Sequence, residues 1–360
     1  MTDVIRSRAP RSATVRGRGR ATMTACLITG AGGFVGGALA RTLIEKRPAR
    51  PNLPDRPMAG RLILSDRIPR PDWCPADRAD IVWMQGDIAS ADLLEQLFSE
   101  PVTAVAHLAG VVSGAAEADF DLGMRVNLDA TRALLERCMA QGHAGRPPRV
   151  VYASSIAVHG VPLPTAIHDP TPASPSLSYG VQKLINEILI TEGSRRGWID
   201  GISLRLAGVV VRPALPNGAL SGFNSDLIRE TLAGRRVVSP VSPEAVIWLQ
   251  SLSSARDAFA IALAGSGGAP DGARVVQCPA IAASINEILC AVSAASGHDA
   301  HALVDFRPNP AIEPMFGRWP RHISFDRARR LGLPEDRDLT ELIATAHAAR
   351  KSSGEPSAAT

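Results

Sequence analysis

The chain has 360 residues, 45% hydrophobic and 21% charged, enough to bury a large core in one α/β unit with a smaller appendage. The net charge of +4 lies in residues 1–22, where six arginines and one aspartate give +5 and leave −1 for the remainder, so we expect no nucleic-acid partner. No segment approaches the roughly 18 uninterrupted apolar residues of a membrane span, so no membrane partner is expected either.

Two features bear on where the protein resides. Residues 1–22 lack hydrophobic periodicity and any apolar signal core, so we expect a disordered extension; an organelle transit peptide and a translation start at Met23 are the alternatives. The five cysteines form no CxxC pair and no cluster with histidine. We therefore expect reduced thiols, no bound metal and a cytoplasmic location.

The first predicted strand, residues 25–29, leads directly into the glycine-rich segment 30–37 and then into helix-forming residues through Ile44. A glycine turn between strand and helix lets the backbone approach a pyrophosphate, while the helix N-terminus supplies N–H groups and partial positive charge. We therefore predict a dinucleotide site here, with an ordinary tight turn as the alternative.

The second predicted strand, residues 61–65, ends in Asp66. A carboxylate at this point binds the adenosine ribose hydroxyls and repels a 2′-phosphate, which favours NAD over NADP. Asp66 is farther from the glycines than usual, and the Pro- and Arg-rich residues 47–60 account for the excess as a loop insertion. The neighbouring Arg67 keeps NADP as an alternative.

Strands and helices continue to alternate through residue 206. We predict strands at 81–84, 102–108, 149–153 and 201–206, and helices at 93–99, 119–141 and 179–192. This order predicts a Rossmann-type doubly wound parallel sheet with a smaller C-terminal α+β substrate domain. The predicted boundaries are an extension at 1–22, an NAD-binding domain at 23–206, a mainly substrate-binding domain at 207–348 that partly returns to the sheet, and a disordered tail at 349–360.

Polar and glycine residues recur where the predicted strands end. Besides the glycine turn and Asp66, these strand ends carry Asp87, Ala109-Gly110 and Ser154-Ser155. Because ligands of open parallel sheets bind at the carboxyl ends of the strands, we predict that these residues form one site.

Lys183, one of only three lysines, follows Tyr179, one of only two tyrosines, by four positions. Residues i and i+4 share a helix face, so the ammonium can approach the phenol and lower its pKa from about 10 towards neutrality. Tyr179 is therefore a candidate acid/base, with an ordinary surface pair as the alternative.

Residues 25–260 resemble the extended short-chain dehydrogenase/reductase family. The shared motifs are Thr29-Gly30-x-x-Gly33-x-x-Gly36, Gly86-Asp87-Ile88, His107-Leu108-Ala109-Gly110, Asn127, Ser154-Ser155 with Val158-His159-Gly160, and Tyr179-x-x-x-Lys183. The resemblance implies a catalytic triad in which Tyr179 is the base, Lys183 tunes it and holds the nicotinamide ribose, and Ser155 hydrogen-bonds the reacting oxygen. It also implies an NAD site formed by Gly30, Gly33, Phe34, Val35, Gly36, Asp66, Asp87, Ile88, Leu108, Ala109, Gly110, Tyr179 and Lys183.

A narrower likeness to the D-erythronate dehydrogenase group is visible in residues 111–127, 155–158, 209–213 and 248–249. This group oxidises C2 of a four-carbon sugar acid with NAD. The chain differs from the group's usual Pro-Thr by carrying Ala207-Gly208, and from its common tyrosine by carrying His159.

The likeness implies a small-molecule sugar acid as substrate, with Ser113, Ser155 and Tyr179 in its pocket. A carboxylate is best bound by the forked arginine guanidinium, for which Arg212 is the first choice and Arg318 the second. His107 and His159 are expected to be structural.

Three functions are compatible with these features. The first is oxidation of a 2-hydroxy acid, and the second is a nucleotide-sugar epimerase or dehydratase that recycles bound NAD. The third is a non-catalytic NAD-sensing regulator, against which retention of Tyr179 and Lys183 argues. By analogy with the family, we also expect a homodimer formed through the long helices near residues 119–141 and 179–192.

Overall fold

The computed structural model describes residues 24–46, 60–214 and 220–352, so the predicted extension 1–22 and most of the loop insertion lie outside the described residues. The strands are β1 Ala25–Thr29, β2 Arg61–Asp66, β3 Ile81–Gln85, β4 Val102–His107, β5 Arg149–Ser155, β6 Ala166–Ile167, β7 Asp200–Leu206, β8 Gly208–Val210, β9 Val237–Ser239, β10 Val246–Ser251, β11 Val275–Gln277, β12 Ile281–Ser284, β13 Val304–Phe306 and β14 His322–Ile323. The helices are α1 Phe34–Glu45, α2 Ala91–Leu97, α3 Ser113–Ala118, α4 Phe120–Gly123, α5 Ala130–His143, α6 Ser178–Arg195, α7 Phe223–Leu232, α8 Leu252–Ala264, α9 Ile285–Ser296, α10 Glu313–Phe316, α11 Asp326–Arg330 and α12 Leu339–Ser352.

Seven parallel strands form the main sheet in the order β11-β7-β5-β4-β1-β2-β3. One apolar core lies under α1 and α8, and a second lies under α2, α5 and α6 on the opposite face. Because both faces are covered, the central strands are continuous apolar runs without alternation. From β1 the chain adds β2 and β3 on one side and then continues with β4 on the other side. Parallel sheets bind nucleotides at such a switch point, here between β1 and β4. The predicted Rossmann-type fold is confirmed.

The predicted helix 119–141 is interrupted. A π-helical turn, Met124–Asp129, joins α4 to α5 and contains the buried Asn127. A π turn carries one extra residue and therefore redirects the side chains that follow it, often at functional sites. The apolar periodicity of the sequence gave no sign of this interruption.

The C-terminal part builds a separate core from α7, α9 and α12 against the small sheet β12-β10-β8. Two of its elements return to the main sheet, since α8 packs on α1 and β11 forms the edge strand beside β7. The last helix continues to Ser352, beyond residue 349 where the disordered tail was predicted to start. That boundary was placed too early because helix-forming residues continue past it.

Candidate functional site

A cavity of about 1150 Å³ follows the carboxyl edge of the main sheet and extends into the C-terminal part. Every residue chosen as a first candidate from the sequence lines it, namely Gly30, Gly33, Phe34, Val35, Gly36, Asp66, Asp87, Ile88, Leu108, Ala109, Gly110, Ser113, Ser155, Tyr179, Lys183 and Arg212. They come together because each follows a parallel strand or faces the strand ends from a helix.

The glycine turn has no room for side chains. Gly30 has φ +70°, and a Cβ there would lie 2.7 Å from the backbone of Leu108 and Ala109. A Cβ on Gly36 would lie 2.1 Å from the Gly30 carbonyl oxygen. Among the described side chains none caps the N-terminus of α1, whose first turn borders the cavity. This bare turn before a helix N-terminus fits the pyrophosphate of a dinucleotide.

Asp66 ends β2 next to the glycine turn. Its Oδ2 accepts a hydrogen bond from the Gly32 N–H at 2.9 Å, and its Oδ1 accepts one from the Ile68 N–H at 3.3 Å. These bonds hold the carboxylate at the rim, where it fits the ribose hydroxyls of the adenosine half. Arg67 is exposed and also lines the cavity.

Asp87 is paired with an arginine that the sequence motifs did not indicate. Arg125, on the π turn, donates from Nη1 to Asp87 Oδ2 at 2.7 Å, and the Ala89 N–H donates to Oδ1 at 3.0 Å. The Ala89 hydrogen bond and Arg125 together hold the pKa of Asp87 below its usual value. Asp87 therefore stays ionised where it borders the cavity.

His107 is buried within a chain of hydrogen bonds behind the cavity. The Thr131 hydroxyl donates its proton to the Asn127 carbonyl at 2.8 Å. The same hydroxyl must therefore accept its second hydrogen bond from His107 Nε2–H. The other ring nitrogen, Nδ1, then carries no proton and accepts from the Thr29 hydroxyl at 2.6 Å. Burial lowers the pKa of His107 to about 3, so the ring is neutral. This histidine positions β1, β4 and the π turn, as expected of a structural residue.

Lys183 is buried on α6. Its Nζ donates to the Ala153 carbonyl at 2.8 Å and lies 4.7 Å from the ring centroid of Tyr152 and 5.4 Å from that of Tyr179. Burial lowers the pKa of Lys183 to about 8, although Glu187 opposes the shift. The ammonium therefore faces the cavity between the two tyrosines.

The pKa of Tyr179 is raised by burial, while Arg212 and a hydrogen bond with Ser155 act to lower it. The sequence spacing predicts instead that the ammonium of Lys183 lowers the pKa of this phenol. In the structure, the cation that favours a phenolate at Tyr179 is Arg212.

A buried ion pair joins α6 to β7 of the main sheet. Arg205 on β7 donates to both carboxylate oxygens of Glu187, at 2.8 Å and 2.7 Å, and Ser154 donates to the same carboxylate. Arg205 also contacts Nε2 of His159 at 3.4 Å, while a hydrogen bond to the Pro172 backbone engages the other ring nitrogen. Burial, followed by the charge of Arg205, lowers the pKa of His159 to about 4. His159 is therefore a neutral, packed residue at the cavity edge.

The end of the cavity proposed for the substrate lies between α3 and the C-terminal part. Ser113 begins α3, and its Oγ accepts from the Leu220 N–H at 3.3 Å. Arg212 follows β8, and its backbone N–H donates to Ser225 Oγ at 3.1 Å. The described residues that line the cavity do not include Arg318, which is exposed. Of the two candidate arginines, Arg212 is the one that lines the cavity.

Several cavity residues were not assigned to the site from the sequence. They include the packed pair Trp248 and Trp319, with ring centroids 4.9 Å apart, and the buried Asn224. Of these, only Trp248 lies in a segment that carries the narrower likeness. The three residues are far apart in the sequence, and only the tertiary structure brings them to the cavity that Tyr179 also lines.

The described residues show neither a metal centre nor a membrane helix. Among them, no group of three or more histidine, cysteine or acidic side chains could hold a metal ion. No helix in the described ranges is both long and apolar enough to cross a membrane. No disulfide joins the five cysteines, all of which lie in the described ranges, and four of them are buried.

Comparison with known proteins agrees with this site. Residues 26–260 match the NAD dependent epimerase/dehydratase family. A D-erythronate dehydrogenase of Cupriavidus necator is 41% identical over 318 residues, covering 88% of this chain and 96% of the relative, and one of Haemophilus influenzae is 32% identical with the same coverage. A structure titled as a nucleoside-diphosphate-sugar epimerase from Agrobacterium tumefaciens superposes with a TM-score of 0.79 at 34% identity, covering 93% and 96% of the two chains. With its Rossmann-type sheet and glycine turn, the chain belongs to the NAD-dependent epimerase/dehydratase family, is an oxidoreductase and uses NAD as its cofactor.

Proposed function

We propose that the protein oxidises the C2 hydroxyl of a four-carbon sugar acid resembling D-erythronate to the 2-keto acid. The observation that carries the proposal is the proximity of Arg212 and Tyr179, which influence each other's pKa inside one cavity. In a 2-hydroxy acid, the carboxylate is attached to C2, the same carbon that bears the reacting hydroxyl. It therefore needs a cation beside the base, and the D-erythronate dehydrogenase relatives support that substrate class.

The roles of the residues follow from their chemistry. Bound NAD supplies the hydride acceptor. Tyr179, as phenolate, takes the hydroxyl proton, and Ser155 hydrogen-bonds the reacting oxygen. Lys183 holds the nicotinamide ribose, and Arg212 binds the carboxylate through its two-pronged guanidinium.

The direct test is the appearance of NADH absorbance with purified protein, NAD and a panel of D-erythronate, L-threonate and their epimers. Turnover of one acid would establish the reaction and its stereochemical preference. Absence of turnover with every acid would overturn the proposal.

The alternative is a nucleotide-sugar epimerase or dehydratase, which the similarity to the nucleoside-diphosphate-sugar epimerase from Agrobacterium tumefaciens favours. Such an enzyme recycles its NAD, so free NADH does not accumulate. Copurification of NAD together with conversion of UDP-sugars, in a protein inactive on sugar acids, would establish this alternative.

Arg212 provides a specific test of acid binding. We expect Arg212→Ala to raise KM for the acid about 10- to 100-fold, because a charge-assisted hydrogen bond is lost. The change should also shift the pH profile of kcat to higher pH, because the guanidinium that lowers the pKa of Tyr179 is removed. Steady-state kinetics across pH would measure both effects. Arg318→Ala, at an exposed arginine outside the cavity, is the matched control, and equal effects of the two variants would contradict the assignment.

Asp66 provides a test of cofactor preference. Replacing it with asparagine removes the charge that repels a 2′-phosphate, so the preference for NAD over NADP in kcat/KM should fall about 10-fold or more. Asp121→Asn, at an exposed aspartate on α4, is the control. An unchanged preference would remove Asp66 from the adenosine site.

We also propose a homodimer formed through α4 and α6. Phe120, Val181 and Ile188 expose 58%, 42% and 60% of their surface on these helices. Burying such side chains against a second copy removes apolar surface from water. Light scattering should give a dimer mass that Ile188→Glu converts to a monomer and Val238→Glu, on β9, does not. A monomeric wild-type protein would contradict this proposal.

We also propose a cytoplasmic location, from the state of the cysteines. None of the five cysteines, all within the described ranges, forms a disulfide, and four of them are buried. A reducing compartment suits this set of thiols.

A further inference from the structure

Asn224 occupies an unusual position at the substrate end of the cavity. It is the second residue of α7, only 5% exposed, and it lines the cavity. Its side-chain oxygen Oδ1 is fully buried and has no hydrogen-bond partner among the described residues. Buried amide oxygens are nearly always hydrogen-bonded in native proteins, so an unpaired one beside a cavity indicates a partner supplied by a ligand.

The space for this amide exists because residue 208 is glycine. A Cβ on Gly208 would lie 3.0 Å from Asn224 Nδ2 and 2.8 Å from the Trp248 carbonyl oxygen. The carbonyl cannot retreat easily, because β8 pairs with β10 at Leu249. A larger residue at position 208 would therefore displace the Asn224 amide, so the two positions act as a unit.

The chemistry of Asn224 selects the kind of group it can bind. Its free atom is an acceptor, so the ligand must donate a proton, which a hydroxyl can do and a carboxylate cannot. A hydroxyl can also accept from the amide N–H of the same side chain. The carboxylate has Arg212 as its partner, and Ser225, the next residue after Asn224, holds the Arg212 backbone at 3.1 Å.

We propose that Asn224, given room by Gly208, is a specificity-determining residue that binds a substrate hydroxyl beyond the reacting carbon. This inference rests on the proposed oxidation of a sugar acid. It assigns the hydroxyls at C3 and C4 to α7, on the C-terminal side of the cavity. The enzyme then distinguishes polyhydroxylated acids from simple 2-hydroxy acids with the same carbon chain.

The experiment compares the best sugar acid of the panel with 2-hydroxybutyrate, which has four carbons but no hydroxyl beyond C2. For Asn224→Leu, which keeps the shape and removes the hydrogen bonds, the ratio of kcat/KM for the sugar acid to that for 2-hydroxybutyrate should fall about 10- to 100-fold. Affinity for NADH should not follow this ratio. The control is Asn286→Leu, at the second position of α9 and not among the described residues that line the cavity, which should leave the ratio unchanged.

Gly208→Ala gives a second, independent test. On its own it should lower the same ratio, and in the Asn224→Leu background it should add little, because both changes act on one hydrogen bond. Fully additive effects, or an equal loss on both acids in Asn224→Leu, would overturn the inference while leaving the sugar-acid reaction intact. A wild-type protein inactive on every acid would instead overturn the proposed function, and the inference with it.

Discussion

Replacing Tyr179 with phenylalanine should lower kcat for sugar-acid oxidation about 10²- to 10⁴-fold, the range over which a positioned acid/base contributes to catalysis. The phenol lies in the cavity beside Ser155 and Arg212, and phenylalanine keeps the ring but cannot accept the hydroxyl proton. Binding of NADH, measured by fluorescence titration, should persist because Lys183 and the glycine turn are unchanged. A variant that kept most of its kcat would contradict the role of Tyr179 as base.

The other tyrosine provides a matched control. Tyr152 is buried on β5, its hydroxyl accepts from Asn186 Nδ2 at 2.9 Å, and it is not among the described residues that line the cavity. Tyr152→Phe therefore removes an equivalent hydroxyl but should retain most of kcat. The wild-type rate should also rise with pH, because burial raises the pKa of Tyr179 and the phenolate is the active form. The Tyr179→Phe variant should lack this rise.

Replacing Glu187 with leucine should lower the free energy of unfolding by about 3 to 5 kcal/mol, because it leaves the charge of Arg205 buried without a partner. The Glu187 side chain is 2% exposed and that of Arg205 11%, and the two form a bidentate pair. Ser154 loses its acceptor as well. Urea unfolding of the purified variant would measure the loss.

The same helix provides a surface pair for comparison. Glu192 contacts Arg195 and Arg196, all well exposed, and Glu192→Leu should change stability little because exposed pairs are screened by water. Adding Arg205→Met to the Glu187→Leu variant should recover much of the lost stability, because it removes the uncompensated charge. Equal unfolding curves for Glu187→Leu and Glu192→Leu would show that the buried pair does not hold α6 on the sheet.

Local patterns in the sequence were sufficient for the fold and for the glycine turn and strand-end residues that line the cavity. The strand, glycine turn and helix at residues 25–45 are contiguous, and Gly30 and Gly36 are required by contacts within that short segment. Asp66 and Asp87 follow strands whose apolar runs are unmistakable. Because parallel strands end at one edge, their order alone placed these residues together.

Local sequence patterns could not predict the pKa of Tyr179. The spacing of Tyr179 and Lys183 correctly places both on α6, but the charge on each depends on burial and on groups from other elements. Burial brings the pKa of Lys183 to about 8, and Arg212 approaches the phenol from the C-terminal part. Desolvation and long-range charge are properties of the packed molecule, so no helical spacing could predict them.

The sequence by itself determined the parallel sheet and the glycine turn that leads into α1, because each depends on residues close together along the chain. The tertiary structure alone decided which of the two candidate arginines lines the cavity, since Arg212 borders it and Arg318 is exposed. It likewise decided that Asn224 has room beside Gly208 and that Glu187 pairs with Arg205. These contacts join distant segments, and only the packing of the C-terminal part against the main sheet fixes their geometry.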